Sequence, residues 1–363
     1  MSRAPRSLLA TAASVCGLLC VAVLAGCHAS TPLAAPAAPL TEPQILCTDA
    51  EPAVECNRAE QVEAWLRDPR LMILGSSATG GTQGAKILTV AVPRAEGRTV
   101  FRARWRPLSS ESLTNDPRKE LGAYAVQKLF LEPHEYVVPP TTGHCFALEP
   151  YRRTVDRQAA RSFEDHAGRC VFGILSYWLE NVADPKGARK AGLWSADDIL
   201  DEKLFEQNVG YGKSVADLNL FTYLIHHGDS HDQQFLITKD RLRPHVYSVD
   251  NSIAFRSIKN PMLLFRRDWS NIQVPAVSRR SIARLQGLGE QPWERLAVIE
   301  QYRERGGDLV PEAPGTVAGP RDAGLRWAGA GLQVGLTDAE IRGVRDRLLQ
   351  LIRDIEDRDV RTF

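Results

Sequence analysis

The first 26 residues constrain this chain most, because they decide in which compartment the rest of it folds. Arg3 and Arg6 precede a mostly apolar run from Leu8 to Leu24, and the small residues Ala25-Gly26 follow. A charged leader, an apolar stretch and a small-residue cleavage site together make up a secretory signal peptide. We therefore expect residues 1–26 to be removed and the mature protein to fold outside the cytoplasm.

The residue at the expected cleavage point predicts a lipid anchor. Leu24-Ala25-Gly26-Cys27 resembles the lipobox of bacterial lipoproteins, in which the cysteine carries a diacylglycerol and an acyl chain such as palmitate. The resemblance implies that Cys27 holds the protein on the membrane of the cell envelope, facing the periplasm or the exterior. His28 rather than aspartate follows, which favours the outer membrane in double-membraned bacteria. A plain signal peptide, or a short transmembrane helix with an incidental cysteine, is the alternative.

Charge argues against a nucleic-acid partner. The chain has 45 basic and 44 acidic side chains, and removal of the signal peptide takes away two arginines and no acid. The mature protein would then carry 43 basic and 44 acidic groups, a formal net charge of −1. Nucleic-acid binding normally needs a basic excess or a basic stripe. We expect contact with membrane lipid through Cys27 instead.

The remaining cysteines predict disulfides. Cys47, Cys56, Cys145 and Cys170 stay in the mature chain, and an even number of thiols in an oxidising compartment is typical of a disulfide framework. Three pairings are possible. We favour Cys47 with Cys56 and Cys145 with Cys170, because each pair closes a local loop. Zinc is disfavoured because no Cys-x-x-Cys spacing occurs.

Composition separates a tether from a folded region. His28–Pro43 is rich in Ala, Pro, Thr and Ser, which predicts that residues 27–44 form a flexible linker. From Ile45 onward about 315 residues remain, enough for one large two-lobed domain or two ordinary ones. Pro139-Pro140 is the predicted boundary between a first portion, residues 45–140, and a second, residues 141–363.

Periodicity predicts strands and one helix in the first portion. Lys86–Val92 and Thr99–Trp105 are β-branched and alternating, and a turn-like segment separates them, so they form a predicted hairpin. Asp116-Pro117 opens a predicted helix that extends to about Phe130.

The second portion is predicted to be mainly helical. An apolar helix over Ser214–His226 precedes two short strands, Phe235–Thr238 and His245–Val249, and further helices follow. Thr337 and Glu340 form a predicted capping box at the start of the last helix.

The segment between Phe221 and Phe255 has the strongest chemical signal. Asp229, His231 and Asp232 follow the apolar helix, Gln234 begins one short strand, and Asp250 ends the next. Two paired strands would bring these oxygen-bearing side chains together, which suits a hard cation such as Mg²⁺ or Mn²⁺. A nearby carboxylate could then orient or deprotonate a hydroxyl.

Four blocks of the sequence resemble the atypical kinases of the secretory pathway, which include the Golgi casein kinase, and more distantly the phosphoinositide and HipA-like kinases. The resemblance covers about residues 75–260. In chain order the blocks are Gly81-Thr82-Gln83 before the Lys86 strand, Glu120-Leu121-x-Ala123 through Val138-Pro139-Pro140-Thr141, Gly228-Asp229-Ser230-His231, and Val249-Asp250-Asn251 followed by Phe255.

The resemblance implies an α+β, two-lobed protein kinase-like fold that binds ATP or another nucleotide with Mg²⁺ or Mn²⁺. It also implies transfer of a phosphoryl group from that nucleotide to a hydroxyl of a protein or small-molecule acceptor. Residues 45–140 would form a small β-rich lobe with one main helix, and residues 141–363 a larger helical lobe. Asp229 would be the catalytic base, with His231 beside it in the catalytic loop. Asp250 would be the principal metal ligand and Gln234 the second.

The same resemblance implies a nucleotide-holding set in the first lobe. Gly81 would belong to the loop that covers the nucleotide, and Glu120 would pair with a cation on a neighbouring strand. Arg102 aligns with the phosphate-holding lysine of the family, and Lys86 on the preceding strand is a second candidate for that charge. Two further positions depart from the family: Gln234 stands where the family has asparagine or a carboxylate, and Ser230 stands where it has arginine.

Other interpretations of these residues stay open. Asp229 and Asp250 are also typical turn or capping acids, His231 is more often structural, and Glu120 could lie on a helix surface. A kinase fold that has lost catalysis and only binds or scaffolds is one alternative function. A metal-dependent hydrolase built on the Asp229 region, with its neighbouring histidines, is another.

Overall fold

The computed structural model describes residues 57–79, 84–108, 116–163, 169–196, 198–239, 244–255 and 267–363. The predicted signal peptide and tether lie outside the described residues, as do Cys27, Cys47, Cys56 and Gly81. In the described ranges the protein is an α+β fold with antiparallel sheets, which confirms the predicted class.

Helices and strands alternate in irregular order along the described part of the chain. The helices are α1 (Ala59–Arg67), α2 (Arg118–Gln127), α3 (Leu148–Thr154), α4 (Pro185–Lys190), α5 (Glu202–Gln207), α6 (Val209–Leu224), α7 (Arg279–Gln286), α8 (Glu290–Arg295) and α9 (Asp338–Glu356). The strands are β1 (Met72–Ala78), β2 (Lys86–Pro93), β3 (Arg98–Pro107), β4 (Thr141–Ala147), β5 (Cys170–Tyr177), β6 (Val182–Ala183), β7 (Phe235–Thr238), β8 (Val246–Ser248), β9 (Glu300–Arg305), β10 (Asp308–Glu312), β11 (Leu325–Ala328) and β12 (Gly331–Val334).

The first five strands form one antiparallel sheet in the order β1-β2-β3-β5-β4. The predicted hairpin is β2 and β3, with Thr89 opposite Arg102, and β3 also pairs with β5. Every second residue of β3 from Phe101 to Trp105 packs in a buried core to which α1 and α3 also contribute. The sheet therefore continues beyond Pro140, because β4 begins at the next residue.

A disulfide joins two neighbouring strands of this sheet. Cys145 in β4 and Cys170 at the start of β5 are bonded, with their Cα atoms 5.6 Å apart. This confirms the predicted Cys145–Cys170 pair. The bond holds the ends of β4 and β5 together, where Ala147 pairs with Cys170.

A second antiparallel sheet, β10-β9-β12-β11, lies where the sequence predicted only helices. Its first two strands read EQYRER and DLVPE, which lack the apolar alternation that identifies a strand. Tyr302, Leu309 and Leu332 nevertheless pack with Phe172 and Leu121 in a small separate core. β9 and β10 pair across the two-residue turn Gly306-Gly307, whose positive φ angles suit a hairpin, and β9 also pairs with the more distant β12.

The helical part of the chain surrounds α6. Twelve of the sixteen residues of α6 are buried, and the helix contributes Val215, Leu218 and Phe221 to the largest core. The last described helix, α9, begins with the predicted capping box. The Thr337 side chain accepts a hydrogen bond from the Glu340 amide, and the Glu340 side chain accepts one from the Thr337 amide. In the described part of the chain, no helix combines the length and apolar character needed to cross a bilayer.

A buried histidine joins the first helix to the first sheet. His144 of β4 has 5% of its surface exposed, and its Nδ1 lies 3.0 Å from the carbonyl oxygen of Leu66 in α1. Burial lowers the pKa of His144 to about 4, so the ring is neutral at pH 7.

This burial predicts an acid-sensitive contribution to stability. Because the folded-state pKa is about 4 and the unfolded value is near 6.5, the contribution is fully present above pH 6.5 and is lost as the pH falls towards 4. Between pH 7 and pH 5, His144 should lower the free energy of unfolding by about 2 kcal/mol. Denaturant unfolding of the wild type and His144→Gln at both pH values measures the difference.

His134→Gln is the matched control, because the His134 side chain is 38% exposed. We expect this control to keep the wild-type pH dependence and His144→Gln to weaken it. Equal pH dependence in all three proteins would show that His144 does not contribute.

Candidate functional site

Three arginines on one face of β3 begin the site. Arg102, Arg104 and Arg106 alternate with Ala103 and Trp105, whose side chains are fully buried in the core on the other face. The alternation of a strand therefore directs all three guanidinium groups towards the same side of the sheet.

Glu120 in the first turn of α2 pairs with the middle arginine. Its carboxylate is 4% exposed, and its Oε1 accepts a hydrogen bond from Arg104 Nη1 at 3.0 Å. Its Oε2 accepts from the backbone amide of Asn251 at 2.9 Å. Burial raises the pKa of Glu120 above its ordinary value, although Arg104 opposes that shift. Glu120 thus joins the sheet to the segment after β8.

Asp250 lies at the meeting point of these elements. It adopts a left-handed backbone conformation with φ of 59°, which is strained for a residue other than glycine. Its Oδ2 lies 2.8 Å from Arg104 Nη2, and its Oδ1 lies 3.1 Å from Arg106 Nη1. Ser252 Oγ donates to the same Oδ1 at 3.0 Å. Burial opposes ionisation, but the two arginines outweigh it and hold the pKa of Asp250 below its ordinary value.

Asp229 is held by the residues that follow it. Gln234 Nε2 donates to Asp229 Oδ2 at 3.1 Å, and His231 Nε2 lies 3.5 Å from Asp229 Oδ1. The Asp229 amide donates to His227 Nδ1 at 3.3 Å. Burial lowers the pKa of His227 to about 4, so this ring is a neutral acceptor. The backbone of Gln234 accepts from the Val249 amide at 2.8 Å, which links the Asp229 loop to the strand that precedes Asp250.

One cleft, with a volume of about 720 Å³, is lined by the same three arginines of β3 and by Glu120, Asp229, Gln234 and Asp250. Five residues that the sequence singled out meet there: Arg102, Glu120, Asp229, Gln234 and Asp250. Apolar side chains also line the cleft, namely Val138, Leu179, Val182, Leu236 and Ile253. Charged and apolar side chains together in one cavity of this size suit a small ligand with an apolar ring and an anionic group.

The cations of the site differ from those that the sequence predicted. Arg102 lines the cleft, but its Nε donates to Glu180 at 2.6 Å, and Arg104 is the partner of Glu120. Lys86 begins β2 opposite Trp105 and is not among the described lining residues. His231 is also absent from that lining, and its Nε2 lies 3.5 Å from Asp229 Oδ1.

Sequence reasoning missed Arg104, Arg106 and the backbone of Asn251. The alternating arginines of β3 were a visible signal for a shared cationic face. Which of them reaches α2 depends on where that helix crosses the sheet, and local sequence does not contain this information.

The residues predicted to bind a divalent metal do not fit one in this arrangement. Both carboxylate oxygens of Asp250 already contact guanidinium groups, and Gln234 turns its amide towards Asp229. The two guanidinium groups would repel a divalent cation at Asp250 and offset the attraction of its carboxylate. Within the described ranges, no three His, Cys, Asp or Glu side chains are grouped to hold a metal.

The sequence matches no model of a known protein family, and no similar sequence was found among curated proteins.

Proposed function

We propose that this protein has a two-lobed, kinase-like fold and that its cleft binds a nucleotide and transfers its terminal phosphoryl group to a hydroxyl of a protein or small molecule. One observation carries the proposal: a single cleft is lined by groups from four separate segments, namely the Arg104–Glu120 pair of β3 and α2, Asp229 held by the Gln234 amide, and Asp250 after β8. These are the groups that place phosphates and align an acceptor oxygen in phosphoryl transfer.

The proposed lobes divide after β5 rather than at Pro140. The first lobe would comprise α1, α2 and the five-stranded sheet, and the second would contain the α6 core with β6, β7 and β8. The short stretch from Trp178 to Asn181 would then connect the lobes, and Trp178, Glu180 and Asn181 all line the cleft. The resemblance of the sequence to secretory-pathway kinases implied a division at Pro140 instead, but the sheet continues through β4 and β5.

The proposed nucleotide would place its base and phosphates in different parts of the cleft. The apolar lining from Val138 to Ile253 suits the base, and the guanidinium group of Arg104 suits the phosphates. Glu120 holds Arg104 in position through a buried pair, 3.0 Å long.

Asp229 is the proposed base for the acceptor. As the acceptor oxygen forms a bond to the terminal phosphorus, the bond from that phosphorus to the leaving diphosphate oxygen breaks. The hydroxyl proton passes to Asp229, which Gln234 and His231 orient from either side. The protein therefore contributes mainly position and charge.

A non-catalytic binding protein with the same fold is the second candidate. The pairing of Asp250 with two arginines favours it, because this carboxylate is the expected metal ligand of an active kinase of this type. Both candidates share nucleotide binding and differ in transfer.

Substitution of the proposed base separates these candidates. With radiolabelled ATP and a mixture of envelope proteins and small hydroxyl compounds, we expect the wild type to transfer label. Asp229→Asn should lower the rate at least about 100-fold, because proton transfer to a positioned base contributes that much. Asp346→Asn, which changes an exposed carboxylate on α9, should retain the wild-type rate.

Nucleotide binding by the wild type is measured separately, as a thermal shift, beside the transfer assay. Binding without transfer by the wild type would support the non-catalytic candidate. Absence of binding to any nucleotide would contradict both.

We also propose that Cys27 anchors the protein to the membrane of the cell envelope. Mass spectrometry of the mature protein from a bacterial host should show loss of residues 1–26 and acylation of Cys27. Cys27→Ala should prevent acylation and leave the unprocessed signal peptide attached, because the thioether carries the lipid. Cys20→Ala is the matched control, since it lies within the apolar run. A mature N terminus at another residue would contradict the anchor.

A further inference from the structure

We infer that the phosphate groups of the nucleotide bind directly to Arg104 and Arg106, without a divalent cation between them and Asp250. This inference rests on the proposed function, because it concerns how the same cleft holds its ligand. It departs from the Mg²⁺ or Mn²⁺ that the kinase resemblance implies.

Asp250 is the centre of the argument. Each of its carboxylate oxygens lies within 3.1 Å of a guanidinium nitrogen, and Ser252 donates to one of them as well. The left-handed backbone at Asp250 and the buried hydrogen bond from Asn251 to Glu120 hold the carboxylate in this orientation. The charge that would attract a metal is therefore matched by two positive charges in direct contact.

The second expected metal ligand is also engaged. Gln234 Nε2 donates to Asp229 at 3.1 Å, so the amide group is oriented by the proposed catalytic aspartate. Its oxygen is neutral and adds no charge to attract a cation. Asp250 and Glu120 together supply two negative charges, and Arg104 and Arg106 supply the two positive charges that contact them.

The two arginines can replace the cation in its neutralising role. Their side chains leave the same face of β3 two residues apart, which separates their backbones by roughly 7 Å. Arg104 spans Glu120 and Asp250 through its two terminal nitrogens, and Arg106 contacts Asp250 and Ser252 through Nη1. Planar guanidinium groups bind phosphate through paired N–H donors.

The direction in which neutralisation of Asp250 changes nucleotide affinity distinguishes direct binding from binding through a metal. The described lining of the cleft contains four cationic and four carboxylate side chains: Arg102, Arg104, Arg106 and Lys239, and Glu120, Glu180, Asp229 and Asp250. If phosphates contact the arginines directly, Asp250 competes with them, and its neutralisation strengthens binding. If a metal bridges Asp250 and the phosphates, the same change weakens binding.

The experiment is calorimetric titration of ATP into the purified full-length chain in detergent, first in excess EDTA and then with Mg²⁺ or Mn²⁺. We expect wild-type affinity to differ by less than about threefold between these conditions. Asp250→Asn should bind ATP in EDTA about tenfold more tightly, as expected for release of one charged hydrogen-bond partner. Arg104→Gln should bind about tenfold more weakly, and Arg102→Gln, with its guanidinium paired to Glu180, should change less.

The outcomes separate this inference from the proposed function. ATP binding that requires Mg²⁺ or Mn²⁺ and weakens in Asp250→Asn would overturn direct arginine binding while leaving the nucleotide site intact. Absence of ATP binding in every condition would overturn both. The wild-type comparison of EDTA with metal needs no substitution, so it decides the question even if the variants fail to fold.

Discussion

The buried ion pair between Arg104 and Glu120 is the interaction on which the rest of the site depends. It joins β3 to α2, and Arg104 extends the link to Asp250 after β8. A buried charge without a partner costs several kcal/mol, and removal of one member of such a pair typically costs about 3–5 kcal/mol. The sheet, the helix and the Asp250 segment are therefore held in one relative arrangement. The cleft exists because these three elements meet.

A second, partly buried network supports α2 one turn further along the same face of the helix. Tyr124 and Lys128 both contact Glu63 of α1, while Arg67 of α1 contacts Glu63 and Glu300 of β9. The Glu300 carboxylate also accepts from the Gly143 amide in β4 at 2.7 Å. This network links α1, α2 and both larger sheets, so α2 is held at two successive turns. The Glu120 side chain enters the cleft from a helix that is fixed in this way.

Much of the architecture around the cleft follows from local sequence. The β2–β3 hairpin, α2, α6, the β7–β8 pair and the capping box of α9 all have periodicity or capping signals that the structure confirms. Some of the missed strands did have a signal, since β5 reads CVFGILSY and the Gly306-Gly307 turn between β9 and β10 is typical of a hairpin. β4 and β9 lack apolar alternation of their own, and β4 pairs with β5 and β9 with β12, which are distant in the chain.

The candidate site shows the same limit at the level of single residues. Asp229, Gln234 and Asp250 lie on a short loop and strand pair whose order in the chain brings them together, and sequence was enough to group them. The choice between Arg102 and Arg104 depends on the crossing point of α2 over the sheet. The compensation of Asp250 by two arginines likewise arises only when β3 and the segment after β8 pack together.

The most direct test of this account is a crystal structure of the chain soaked with a non-hydrolysable ATP analogue and Mg²⁺. The account predicts the base against the apolar lining near Leu179 and the phosphates in contact with Arg104, in the cleft that contains Asp229. It also predicts no metal between Asp250 and the phosphates. A nucleotide bound elsewhere on the protein would contradict the kinase-like site, and a metal coordinated by Asp250 would contradict direct arginine binding.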